Sequence, residues 1–248
     1  MADPTPNTPD PKIPRIVIRP DGAIKVYGHI PLVHKTQVVS EYGEPLTWQK
    51  DKVYDTGDVY SLCRCGHSDM MPFCDGTHHD IDFDGTETAA TNTFADRMEI
   101  DEKAQGMVVK KDNYLCMESG FCGNRLTNID QMTAETAEPA KRAEIMAMIE
   151  RCPAGVYVYA MSKGGPDIEP DLPMQIAFTT EITEDGPIPG AFWVTGNIPI
   201  ERSDGQPFET RNRVTLCSCG RSSKKPLCDG VHRAAEQEKL RKQKADRK

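Results

Sequence analysis

Long apolar runs are missing from this chain. None approaches the ~20 residues that a bilayer-spanning helix needs, which argues against a membrane protein. The opening residues, MADPTPNTPDPKIPR, contain no apolar core of a secretory signal. They predict a cytoplasmic protein with a proline-rich, disordered lead-in over residues 1–14. Positive charge is also scarce, with 30 Lys and Arg against 38 Asp and Glu and a formal net charge of −8. A general nucleic-acid binder is basic, so neither nucleic acid nor membrane is an expected partner. The one basic run, RKQKADRK at 241–248, closes a basic C-terminal tail (236–248) and reads as a solvated helix end. No P-loop, dinucleotide fingerprint or nucleophile–base pair appears, so no organic catalytic site is expected. The protein is read as a non-enzyme.

Cysteine, by contrast, is plentiful. Nine in a reducing compartment are not expected to form disulfides, and an odd number cannot all pair. Metal or redox chemistry is the better expectation. They fall into three triplets: Cys63, Cys65 and Cys74; Cys116, Cys122 and Cys152; Cys217, Cys219 and Cys228.

The first and third triplets belong to an internal repeat. CRCGHSDMMPFCDGTHH (63–79) and CSCGRSSKKPLCDGVHR (217–233) share the spacing C-x-C-x8-C-x3-H. Upstream, GAIKVYGHIPL (22–32) matches GAFWVTGNIPI (190–200). The first copy then carries 14 more residues before its cysteines, an insertion suited to a surface loop. Alternating apolar residues in RIVIRPDGAIKVYG flank a Pro20-Asp21-Gly22 turn, and VYSLC and RVTLC read as strands entering the cysteine loops. Each copy is expected to be a set of short antiparallel strands delivering a cysteine-rich loop.

The middle segment differs. GMVVKKDNYLC reads as strands around an Asp112-Asn113 turn, and GVYVYA as a further strand. In PAKRAEIMAMIERCP, Ile145, Met148, Ile149 and Cys152 recur at helical spacing, and Pro153 ends the helix.

Cys63, Cys65, Cys74 and His78 form a Cys3His set, as do Cys217, Cys219, Cys228 and His232. Such a set holds zinc or a [2Fe–2S] cluster. The C-x-C pair can chelate one iron of a dinuclear cluster. Cys74 and His78, four residues apart, could reach the other from the first turn of a helix. Asp75 and Asp229 are candidate N-caps for that turn. The repeat selects the ligand histidine: His67 and His79 align with Arg221 and Arg233, and only His78 has a histidine counterpart. His67 and His79 are therefore read as solvated or supporting residues, and His29 and His34 receive no role.

These residues resemble the CDGSH iron–sulfur (NEET) family. Its pattern is met by Cys63, Cys65, Ser68, Pro72, Cys74, Asp75, Gly76, Thr77 and His78, and again by Cys217, Cys219, Ser222, Pro226, Cys228, Asp229, Gly230 and His232. Val231 departs from it, standing where the family has a small, usually hydroxylated residue; a supporting hydrogen bond should be lost there, but no ligand. The resemblance implies one redox-active [2Fe–2S] cluster per motif, held by three cysteines and one histidine. It also implies a β-cap pairing two CDGSH units about a two-fold axis, here the two halves of one chain.

Cys116-x5-Cys122 followed by Cys152-Pro153 resembles a divergent single-cluster bacterial ferredoxin in which Ser119 replaces the middle cysteine. Three cysteines satisfy three irons, so the resemblance implies a [3Fe–4S] cluster. A [4Fe–4S] cluster with Ser119 or water on the fourth iron is the alternative. A domain that has lost its cluster, or zinc on three thiolates and Ser119, are the other readings.

The expected fold is α+β: a first CDGSH-type domain (15–91), a ferredoxin-like domain (92–165) and a second CDGSH-type domain (166–235), the outer two forming an internal pseudo-dimer. A monomer is expected in preference to a homodimer. The expected function is electron transfer through three clusters, with a redox protein as partner. The alternatives are cluster storage, transfer to an apo-acceptor protein or sensing, and a structural zinc protein. Neutral imidazole in place of a thiolate removes a negative charge, which should raise the potential above the ~−400 mV of plant-type all-cysteine clusters. Imidazole also leaves the metal when protonated. Cluster loss, followed by visible absorbance, should therefore quicken as pH falls from neutral to mildly acid; lifetimes flat across that range would contradict the histidine ligation.

Overall fold

The computed structural model describes residues 10–246. In chain order the strands are β1 (Arg15–Ile18), β2 (Ile24–Tyr27), β3 (Leu32–Val39), β4 (Pro45–Val53), β5 (Val59–Leu62), β6 (Glu99–Ile100), β7 (Val108–Lys111), β8 (Tyr157–Ala160), β9 (Gln175–Thr183), β10 (Gly186–Thr195), β11 (Ile200–Glu201) and β12 (Arg213–Leu216). The helices are α1 (Phe94–Arg97), α2 (Ile129–Met132), α3 (Pro139–Arg151) and α4 (Val231–Asp246). The chain is thus a mixed α and β protein dominated by sheet, and no described helix is long and apolar enough to cross a membrane.

The repeated sequence folds the same way twice. Arg19 to Ala23 closes the β1–β2 hairpin, with the Gly22 amide donating to the Arg19 carbonyl at 3.2 Å. At the far end of that hairpin Gly28 and His29 both take positive φ, and Gly196 and Asn197 do the same after β10. Glycine is required at both places: a Cβ on Gly28 would stand 2.4 Å from Pro14, and one on Gly196 2.4 Å from Met174.

The sheets mix the two halves. One has the order β11-β1-β2-β5, another β12-β10-β9-β3-β4, and a third β6-β7-β8. β3 follows β2 in the first copy, as β11 follows β10 in the second. Each leaves its own half and pairs in parallel with a strand of the other, β3 with β9 and β11 with β1. Within each copy the strands pair antiparallel, whereas these two seams between the copies are parallel. The inserted residues of the first copy extend β3 and add β4, a largely exposed edge strand.

The middle segment supplies the third sheet and α3. Pro139 opens α3, Ile145, Met148 and Ile149 are buried, and Cys152 caps its C-terminus at 6% exposure. Within GMVVKKDNYLC only one strand, β7, forms. The Asp112 carboxylate accepts the Tyr114 amide at 3.0 Å and starts a 3-10 turn over Asn113–Leu115, so the expected second strand there is replaced by a turn. One apolar core then unites the segments, with Ile16 and Leu62 from the first, Met117, Ile149 and Tyr157 from the middle, and Phe192 and Leu216 from the second. Each such side chain contributes roughly 1.5–3 kcal/mol by leaving water.

The termini bear on two further readings. Of the expected disordered lead-in, residues 1–9 lie outside the described residues. Residues 10–14 lie on the surface in a turn tied to the hairpin, with the Pro11 carbonyl accepting the Gly28 amide at 2.9 Å. The basic tail over 236–246 is the body of α4, held by Arg241 on Glu184 and Asp185 at 2.7 and 2.6 Å; residues 247–248 lie outside the described residues.

Candidate metal centre

Each CDGSH-like loop is tied down by its own backbone. The Cys63 amide donates to Pro72 and the Cys74 amide to Ser61, at 2.9 and 3.0 Å; the Cys217 amide donates to Pro226 and the Cys228 amide to Thr215, at 2.8 and 3.0 Å. Ser68 and Ser222 donate their hydroxyls to the Phe73 and Leu227 carbonyls, at 2.6 and 2.7 Å. The Asp75 carboxylate accepts the Asp69 and Thr77 amides, and Asp229 accepts those of Ser223 and Val231. The Thr77 side-chain and backbone hydrogen bonds hold the Asp75 carboxyl well below its usual range. Thr77 also donates its hydroxyl to Asp75 at 2.7 Å. Val231 cannot, and in that copy the Ser223 hydroxyl bonds Asp229 at 2.9 Å.

The ligand side chains meet in pairs. Cys63 and Cys65 Sγ are 3.7 Å apart, as are Cys217 and Cys219 Sγ. Cys74 Sγ lies 3.3 Å from His78 Nδ1, and Cys228 Sγ 3.5 Å from His232 Nδ1. Two thiolates on a tetrahedral metal at ~2.3 Å stand ~3.7 Å apart, and a thiolate and an imidazole nitrogen at ~2.0 Å stand ~3.5 Å apart. Each pair therefore fits one edge of a metal's coordination shell. Among the described residues no three His, Cys, Asp or Glu side chains are grouped around a single ion position. Each site thus offers two donor pairs, as the two irons of a dinuclear core would take.

The thiols carry the imprint of that crowding. A hydrogen bond from the Cys219 thiol lowers Cys217 to about 6 against the effect of its burial, helped by backbone amides of the loop. The same contact, with burial, pushes Cys219 up. Burial raises Cys65 to about 11 and also raises Cys74 and Cys228.

The two sites differ around the histidine. His78 follows Gly76 in a single 3-10 turn, Thr77–His79, where the spacing led us to expect the first turn of a helix. Its ring stacks on His79 at 4.0 Å, and burial, then His79, lowers it below the usual histidine range. His67 instead bonds the Cys65 carbonyl at 2.8 Å. His232 sits in the first turn of α4 at 1% exposure. Its Nε2 lies 2.8 Å from Oε1 of the fully buried Glu181, whose other oxygen accepts from Arg233. Glu181 lies outside the repeated sequence, and no motif announces it.

The two loops also touch each other. A Cβ on Gly66 would stand 2.7 Å from the Cys219 carbonyl, and one on Gly220 2.6 Å from that of Cys65. The Cys116, Cys122 and Cys152 triplet adjoins the second loop, where a Cβ on Gly230 would stand 2.9 Å from the Met117 carbonyl. Lys224 Nζ donates to the carbonyls of Tyr114 and Cys116, the latter at 2.9 Å. Cys116, Ser119, Cys122 and Cys152 line one cavity of about 370 Å³. Cys152 is buried and Cys122 stands at its exposed rim, where partial burial and the neighbouring Cys152 and Cys116 raise its thiol. His29 and His34 lie apart from all three sites, on Asp58 and Asp51.

Comparison with known proteins agrees with the twin loops. Residues 21–79 and 189–233 each match the family model described as iron-binding zinc finger CDGSH type. The chain therefore carries tandem CDGSH segments, a type that binds iron–sulfur clusters. No curated protein and no solved structure matches the chain.

Proposed function

We propose that this chain is an electron carrier holding a [2Fe–2S] cluster in each CDGSH segment and a third cluster between Cys116, Cys122 and Cys152. When bound, each cluster accepts and returns one electron. The observation that carries the reading is the pairing of donors, two thiols at 3.7 Å and a thiol and imidazole at 3.3 or 3.5 Å, repeated in both segments. Cys63 with Cys65 and Cys74 with His78 would hold the first core; Cys217 with Cys219 and Cys228 with His232 would hold the second. A third core, [3Fe–4S] or, with Ser119 or water as fourth ligand, [4Fe–4S], is supported by the convergence of three cysteines on one cavity.

The pairing of the two halves as an internal pseudo-dimer is supported by the exchanged strands β3 and β11 and the reciprocal glycine contacts of the loops. The second segment touches both other sites, so the three ligand sets are contiguous, with 217–232 in the middle. A carrier built this way serves a redox protein as partner, acts as a monomer and needs no organic active site.

A second reading, cluster donation to an apo-acceptor, is favoured by the half-exposed His78, which protects its metal less than His232 does. The two separate in one experiment. Repeated reduction by dithionite and reoxidation in air-free buffer should return the full spectrum, with little cluster passing to an added apo-ferredoxin. Loss of absorbance from this protein matched by gain in the acceptor would replace the carrier with the donor.

A further inference from the structure

We infer that Glu181 is a positioning residue for His232 and makes the second cluster electronically different from the first. The inference rests on the iron–sulfur reading above. A carboxylate at 2.8 Å from Nε2 accepts the N–H there, which fixes the tautomer with Nδ1 free toward the metal and the neighbouring Cys228. A ligand imidazole so held is more electron-donating. The carboxylate is fully buried, so its charge is poorly screened by solvent, and Arg233 on the other oxygen keeps it from standing unpaired.

The first site has no such group. Among the described residues His78 has no hydrogen-bond partner except Cys74, and its Nε2 faces Gly22 across a gap that a Cβ would narrow to 3.5 Å. The difference arises from the hairpins. β1 and β2 turn at once through Pro20-Asp21-Gly22, whereas β9 and β10 run on to a turn at Glu184–Asp185. That extension carries Glu181 over His232. Gly190, the counterpart of Gly22, leaves room for it: a Cβ there would stand 3.1 Å from Glu181 Oε1. The extension also gives α4 its anchor through Asp185 and Arg241. The second histidine is thereby enclosed and the first is not.

The more donating imidazole opposes electron uptake. The second cluster should therefore be reduced at a lower potential than the first. The test is a reductive titration of the full-length holoprotein followed by EPR, in wild type and Glu181→Gln. Two [2Fe–2S] components are expected, and the one reduced last should move to a more positive potential in the variant while the other stays in place with the same iron content. No shift, or an equal shift in both components, would overturn the inference. If the variant fails to retain cluster, pulsed EPR of the wild type decides from the coupled histidine nitrogens: two distinct sets support the inference and one shared set overturns it. A wild type without any iron signal would instead sink the iron–sulfur reading itself.

Discussion

Gly220→Ala is expected to loosen both CDGSH clusters at once, although the residue ligates neither. Gly220 holds φ at +76, and its missing Cβ would stand 2.6 Å from the Cys65 carbonyl. The left-handed conformation costs alanine about 1–2 kcal/mol. Forcing two backbones apart adds about 1–3 kcal/mol more. The obstructing atom is the carbonyl of a ligand residue in the other loop, so relief must displace a donor. Gly66→Ala should act in the same way from the opposite side, against Cys219. Gly205→Ala is the control: its φ is +81 and nothing lies within 4 Å, so only the conformational cost remains. Thermal bleaching of the visible bands measures the effect. The two loop variants should bleach at least several degrees below the control, with both clusters affected together. Loss of one cluster alone, or bleaching no earlier than Gly205→Ala, would contradict the contact between the loops.

His78→Cys should lower the potential of the first cluster by on the order of 100 mV, toward the ~−400 mV of plant-type all-cysteine clusters. A thiolate adds a negative charge where a neutral imidazole stood. It also removes the group whose protonation frees the metal, so the acid sensitivity of that cluster should fall. The half-exposed setting tolerates the extra charge. His232→Cys is not equivalent. There the substitution removes the imidazole N–H that the fully buried Glu181 accepts and adds a thiolate beside the buried Glu181–Arg233 pair, which should cost the site its cluster or its fold. Redox titration of both variants reads the difference. An unchanged first potential, or equal tolerance at both positions, would show that the histidines do not hold the clusters.

What the sequence made legible follows from what repeats. The cysteine spacing, the flanking Ser, Pro and Asp-Gly residues and the GAIKVYG–GAFWVTG match recur in register, so the twin loops could be read before any coordinates. The comparison of copies also separates His78 and His232, which lie 3.3 and 3.5 Å from Cys74 and Cys228, from His67 and His79. The helix 139–151 was legible because Pro139, Ile145, Met148, Ile149 and Pro153 mark its start, face and stop.

What did not repeat was not legible. The strand exchange through β3 and β11 is a long-range pairing between segments that alternate like any others. Glu181 lies in the hairpin extension that only the second copy has, just upstream of where the two copies begin to match. Its partner Arg233 aligned with His79 and so carried no signal of its own. Lys224 aligned with Met70 and gave no hint of its bonds to Tyr114 and Cys116. Tyr114-Leu115 reads as a strand because Asp112-Asn113 suits a hairpin turn as well as a 3-10 start; packing decides which, and local pattern does not.

The most direct test of the account is the metal content of anaerobically purified protein, with acid-labile sulfide measured on the same sample and EPR before and after reduction. Two [2Fe–2S] clusters and a [3Fe–4S] cluster give about seven irons and eight sulfides per chain, the third visible by EPR as oxidised and the paired sites only after reduction. Zinc without sulfide at the twin sites, or no metal at all, would contradict the claim that these cysteines and histidines hold iron–sulfur cores.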